Sequence, residues 1–89
     1  MKNYEFNSID SFLQTISNGV SVVYCCTSWS SACHSNYKTM ILLTFVYEER
    51  AALFQADMAR FPDLGEYLAI QSVPTTVIFV DGVEVKRFI

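Results

Sequence analysis

The sequence predicts an α/β protein: a mixed central sheet of four to five strands with helices on both faces, in one domain over residues 1–89. Three observations carry this prediction. Stretches rich in β-branched and aromatic residues alternate with stretches whose apolar residues recur every three to four positions. That alternation is the pattern of a sheet buried under helices. Only Asp81-Gly82 separates the last two β segments, and such a pair turns the chain back as an antiparallel hairpin. A length of 89 residues suits one domain, and no repeat, low-complexity tract or linker divides it.

The elements follow in order. Residues 3–6 form a short edge strand. Ser8 and Asp10 supply helix-start chemistry, and Ile9, Phe12, Leu13 and Ile16 make one apolar stripe at helical spacing. Asn18-Gly19 ends that helix. Residues 20–26, "VSVVYCC", are apolar with little alternation, which fits a central strand covered on both faces. Residues 33–48 carry Met40, Ile41, Leu42, Leu43 and Phe45, too long a block for a strand, and read as a buried second helix. Residues 51–56 form a second short central strand. Residues 62–70 form a third helix with Pro62 near its start, Leu64, Tyr67 and Leu68 as its apolar face, and a flaw at Gly65. Val73-Pro74 breaks the chain, residues 75–80 form a strand, and residues 83–89 pair back as an edge strand. The first and third helices share one face of the sheet and the second takes the other.

Composition excludes several function classes. Hydrophobic residues make up 52% of the chain, far above what disorder tolerates. The formal net charge is -3 with no basic stripe, so nucleic acid is not an expected partner. No apolar run reaches the roughly 20 residues of a membrane span. The first ten residues have no signal-peptide core, so no membrane association and a cytoplasmic, reducing location are expected. Three cysteines, at 25, 26 and 33, suit packing, redox or metal roles better than a disulfide framework. Adjacent strand residues point to opposite faces, so Cys25 and Cys26 do not bond each other and read as two small buried hydrophobes.

Two short motifs carry the chemistry. Trp29-Ser30-Ser31-Ala32-Cys33 follows the central strand, and Val73-Pro74-Thr75 precedes the last hairpin. The first resembles the Trp-Cys-Gly-Pro-Cys site of the thioredoxin family, and the second resembles that family's cis-proline loop. In this order around these elements, the resemblance covers nearly the whole chain. It implies a thiol–disulfide oxidoreductase acting in electron transport and cell redox homeostasis. It places Ser30 at the position of the attacking cysteine and Cys33 at that of the resolving cysteine. Substrate binding falls to Trp29, Ser31, Ala32, Val73, Pro74 and Thr75. Its implied partners are oxidised protein substrates and a thiol reductase, with no cofactor and no metal.

Four departures bear on that reading. Ser30 replaces the attacking cysteine, and a hydroxyl of far higher pKa does not sustain disulfide exchange, so the chain is expected to be inactive or severely impaired. Tyr24 stands where the family has a buried acid and reads as core packing. Lys38 stands near the place of a helix-kinking proline. The family's C-terminal helix is absent after Ile89. Strand residues among Val77, Phe79, Val83 and Val85 are then expected to lie partly bare, which points to self-association through that face. Ser30 fits either an engineered Cys→Ser change or a naturally non-catalytic, peptide-binding relative. The match of Trp29, Cys33 and Pro74 to the family pattern favours the first. With a cysteine at position 30 the run to His34 would have the form of a c-type haem attachment site, but the flanking strand and proline favour thiol chemistry. A zinc site from Cys25, Cys26, Cys33 and His34 has poor spacing. His34 reads as a surface residue beside a thiol.

Overall fold

The computed structural model describes residues 2–3, 8–27 and 52–89. The elements are β1 (Lys2–Asn3), α1 (Ile9–Thr15), β2 (Val20–Cys26), β3 (Ala52–Asp57), α2 (Pro62–Tyr67), β4 (Thr75–Val80) and β5 (Val83–Phe88). Residues 4–7, the turn at 28–32 and the helix expected over 33–48 lie outside the described residues.

Side chains from Ser21 to Cys26 are all buried, because β2 has neighbours on both edges and cover on both faces. The strand order is β1-β3-β2-β4-β5. β1, β3 and β2 run parallel, β4 is antiparallel to β2, and β5 is antiparallel to β4. The sheet is therefore mixed, with strand 20–26 at its centre and the hairpin strand at its edge.

Strand alternation divides β2 between two cores. Val23 and Cys25 face α1 and α2, in one cluster with Phe12, Ile16, Leu64 and Phe79. Phe12 meets Phe79 edge to face, with centroids 5.7 Å apart at 79°. The two described helices thus lie on one face, as expected of the first and third predicted helices. Tyr24 and Cys26 belong to the second cluster, on the opposite face, with Val73 packed against them.

Three expectations about exposure are corrected. Leu13 lies on the rim of the α1 stripe and Tyr67 on the outside of α2, so both are exposed. Val77 and Phe79 are buried rather than bare, because they point into the α1–α2 core. Val83 and Val85 of β5 are exposed as expected, at 64% and 57%, and Val80 and Phe88 of the same hairpin are exposed too.

The turns show how the sequence closes each element. The Ser8 hydroxyl accepts from the Ser11 N–H at 3.0 Å and caps α1, with Asp10 in the first turn. The helix stops at Thr15, short of Asn18-Gly19. Asp81 (φ 48°) and Gly82 (φ 85°) both take positive φ, the requirement of a tight hairpin of this hand. The Asp81 carboxylate accepts from the Gly19 N–H at 2.7 Å, and the Asp81 N–H donates to the Gly19 carbonyl at 2.9 Å. The hairpin tip is thereby fastened to the start of the central strand.

The end of α2 is closed from another strand. Ile70 N–H donates to Gly65 C=O at 2.8 Å and Ala69 N–H to Glu66 C=O at 3.1 Å, the paired bonds of a Schellman terminus. Arg87 of β5 donates to the carbonyls of Leu68 (2.7 Å) and Ala69 (3.3 Å), and supplies the positive charge that the last turn itself lacks. Glu84 holds that guanidinium by two bonds of 2.8 and 2.9 Å, and its carboxyl pKa is lowered by them. Gly65, a flaw on propensity alone, has a packing reason: a Cβ there would meet Met58 Sδ at 3.1 Å. Ala69 sits in the left-handed region at φ 55°, where a glycine is normally found. Ala69→Gly is expected to raise stability by about 0.5–1 kcal/mol. The check is a higher urea midpoint at unchanged slope; a lower midpoint would contradict it.

Candidate functional site

Three segments meet at one end of the sheet. The parallel strands β1, β3 and β2 all direct their carboxyl ends there, and antiparallel β4 begins there. In open α/β sheets this is the end at which ligands bind. Cys25 pairs with Thr75 and Tyr24 with Thr76, so the proline loop is joined directly to the end of β2. The Cys26 carbonyl accepts from the Met58 N–H at 2.8 Å, which brings in the loop after β3.

The Val73–Pro74 peptide bond is cis. The Thr75 hydroxyl donates to the Ser72 carbonyl at 2.6 Å and closes the loop on itself. Val73 and Pro74 are half-buried, while Thr75 is buried. Beside Val73 opens a cleft of about 570 Å³, walled by Met58, Pro62, Glu66, Ile70 and Ser72. Of the predicted substrate-binding residues, the structure brings Val73, Pro74 and Thr75 to this place. Trp29, Ser30, Ser31, Ala32, Cys33 and also His34 lie outside the described residues. The backbone leads to them directly, since β2 ends at Cys26.

The residues ending β2 have distinct chemistry. Tyr24 is buried, and desolvation raises its phenol pKa, so it keeps its proton and cannot replace a carboxylate as a base near neutral pH. Cys25 is a free thiol, fully buried on the α1–α2 face. Burial pushes its pKa up to about 12, against a smaller lowering by Arg87, so it is an inert packing residue. Cys26, on the other face, is disulfide-bonded. Cys25 therefore fits the sequence reading of two small hydrophobes, and Cys26 does not.

Among the described residues no cluster of three or more histidine, cysteine or acidic side chains could hold a metal ion, and no helix is long and apolar enough to cross a membrane.

This architecture is that of solved thioredoxins. Mitochondrial thioredoxin 3 of Saccharomyces cerevisiae superposes with a TM-score of 0.86 at 19% identity, covering 98% of this chain and 82% of that one. Thioredoxin from Trypanosoma brucei brucei gives 0.85 at 15% identity, over 99% of this chain and 78% of that one. Thioredoxin from Plasmodium falciparum gives 0.81 at 20% identity, over 94% and 82%. No protein-family model and no curated sequence matches the chain. The chain has a thioredoxin-like fold.

Proposed function

We propose that the chain is a thioredoxin-like thiol–disulfide oxidoreductase in which Ser30 occupies the position of the attacking cysteine. The observation that carries this reading is the Val73-Pro74-Thr75 loop, joined to the end of β2 by the Cys25–Thr75 pairing within a thioredoxin-like architecture and set beside an open cleft. Such a loop holds backbone groups at the sheet end, where an extended substrate chain can pair with them. Trp29, Ser31 and Ala32 complete the substrate surface with Val73, Pro74 and Thr75, and Cys33 is the resolving sulfur of the family's pair. The partners are oxidised protein substrates and a thiol reductase in the cytoplasm. One solved structure sharing the fold comes from a study of how a yeast mitochondrial 1-Cys peroxiredoxin is resolved through glutathione and thioredoxin systems, with a TM-score of 0.86 at 18% identity.

The test is insulin reduction by the Ser30 chain and its Ser30→Cys variant, side by side. The variant gains the family's pair just before the helix that the sequence predicts over 33–48, where the anion of the first thiol would be favoured. Its rate should exceed that of the Ser30 chain by about tenfold or more. Equal rates would sink the oxidoreductase reading. Ser30 itself favours a second reading, a non-catalytic module that binds peptides in the same groove; equal rates with retained peptide binding would support it.

Self-association belongs to the same proposal, through the exposed Val83 and Val85 of β5. Sedimentation at high concentration should show a species larger than the monomer, and a monodisperse monomer would remove this part.

A further inference from the structure

The cleft beside the proline loop is lined by two kinds of side chain. Met58, Pro62, Ile70 and Val73 are apolar, and Glu66 and Gln71 are polar. Among the described residues that line it, Glu66 is the only charged one. Glu66 is exposed, and its carboxylate has no ion-pair partner among the described residues. Arg87, the cation that reaches the end of α2 from β5, is already held by Glu84 and by the carbonyls of Leu68 and Ala69. We infer that the cleft accepts a lysine or arginine side chain of an extended peptide, and that Glu66 is the residue that selects it. The inference rests on the reading of this groove as a peptide site and names the class of peptide.

Lysine and arginine carry a long apolar stem below a charged head. Such side chains lie with the stem along apolar surface and the head toward water. The stem matches the wall made by Met58, Pro62, Ile70 and Val73. The head matches Glu66, which can bond it as a charge-assisted pair without first giving up another partner. The Gln71 carboxamide oxygen is a further acceptor. A volume of about 570 Å³ is ample for one such side chain. Met58 lies against Gly65, where a Cβ would come within 3.1 Å of its sulfur, and an unbranched thioether adjusts readily to an occupant.

The competing side chains fare worse for stated reasons. A glutamate in the cleft would set two carboxylates together. A methionine would fill the apolar wall but take water from Glu66 without replacing it. Main-chain pairing beside Pro74 would give affinity to any extended peptide, so discrimination falls to the cleft.

The experiment titrates the full chain with end-blocked peptides Ala-Val-X-Val-Ala in which X is lysine, methionine or glutamate, followed by backbone amide shifts. The lysine peptide should bind about two- to fivefold tighter than the methionine peptide, the size expected of an exposed ion pair, and added salt should narrow the gap. The glutamate peptide should bind weakest. Shifts should centre on Gly65, Ala69 and Gln71. Glu66→Gln should bring the lysine and methionine peptides level, and Glu66→Lys should put the glutamate peptide first. Asp63→Asn removes the same charge from an exposed position of α2 that does not line the cleft, so it should leave the order unchanged. If Asp63→Asn levels the peptides as Glu66→Gln does, overall negative charge selects them and the inference is overturned. Equal binding of lysine and methionine peptides by the parent chain overturns it and keeps the groove. No binding by any peptide overturns both. The peptides hold no cysteine, so disulfide exchange plays no part in the result. A lysine preference in a chain whose Ser30→Cys variant reduces no insulin would remove the oxidoreductase reading and leave this inference standing.

Discussion

Phe12→Ala is expected to destabilise the chain by about 3–5 kcal/mol. A domain of this size has a total of order 5–15 kcal/mol, so much of the margin would go. Phe12 is fully buried and carries the contact between α1 and the sheet, with its ring edge-on to Phe79 of β4. Truncation leaves a cavity between Ile16, Val23 and Val77 and removes an aromatic pair that contributes about 0.5–1.5 kcal/mol beyond its area. Phe12→Leu keeps most of the volume and should lose clearly less than the alanine variant. Urea denaturation followed by circular dichroism measures both. An alanine variant within about 1 kcal/mol of the parent would mean that α1 does not anchor this core.

Much of the fold was legible in the sequence because its signals are local. Ser8 caps α1 through its own side chain, and Asp81-Gly82 turns because those two residues tolerate positive φ. The run from Val20 to Cys26 reads as central because unbroken apolar character makes sense only with both faces covered. What was not legible depends on partners distant in the chain. Leu13 and Tyr67 sit at helical spacing with buried neighbours, yet fall just outside the arc that the sheet covers. Val77 and Phe79 were expected on the wrong face, because an alternating pattern does not say which face meets α1. The closing of α2 by Arg87 joins residues 18 and 19 positions apart and leaves no trace in local pattern.

The candidate site divides along the same line. Val73-Pro74-Thr75 was readable from the resemblance, and its cis bond and its place beside the end of β2 are as that resemblance implies. The buried, inert Cys25 was readable from composition. The bonded state of Cys26 was not, because two cysteines in a strand look alike until the faces of the sheet are assigned. One sulfur enters an apolar core with Phe12, Leu64 and Phe79, and the other meets the face against which Val73 of the proline loop packs. The same residue type thus has opposite chemistry one position apart.

Combining Ser30→Cys with Cys33→Ser should abolish the insulin turnover of Ser30→Cys and leave the protein covalently joined to its substrate. The first change restores a thiolate that attacks the substrate disulfide; the second removes the sulfur that would release the product. The mixed disulfide then persists, because the resolving thiol that would compete for it at high effective concentration is gone. Cys25 stays protonated and buried, and Cys26→Ser, added to the trap, removes the other remaining cysteine. Non-reducing mass spectrometry should find one substrate chain per protein, released by dithiothreitol. A trap that forms no adduct would remove the nucleophile from position 30.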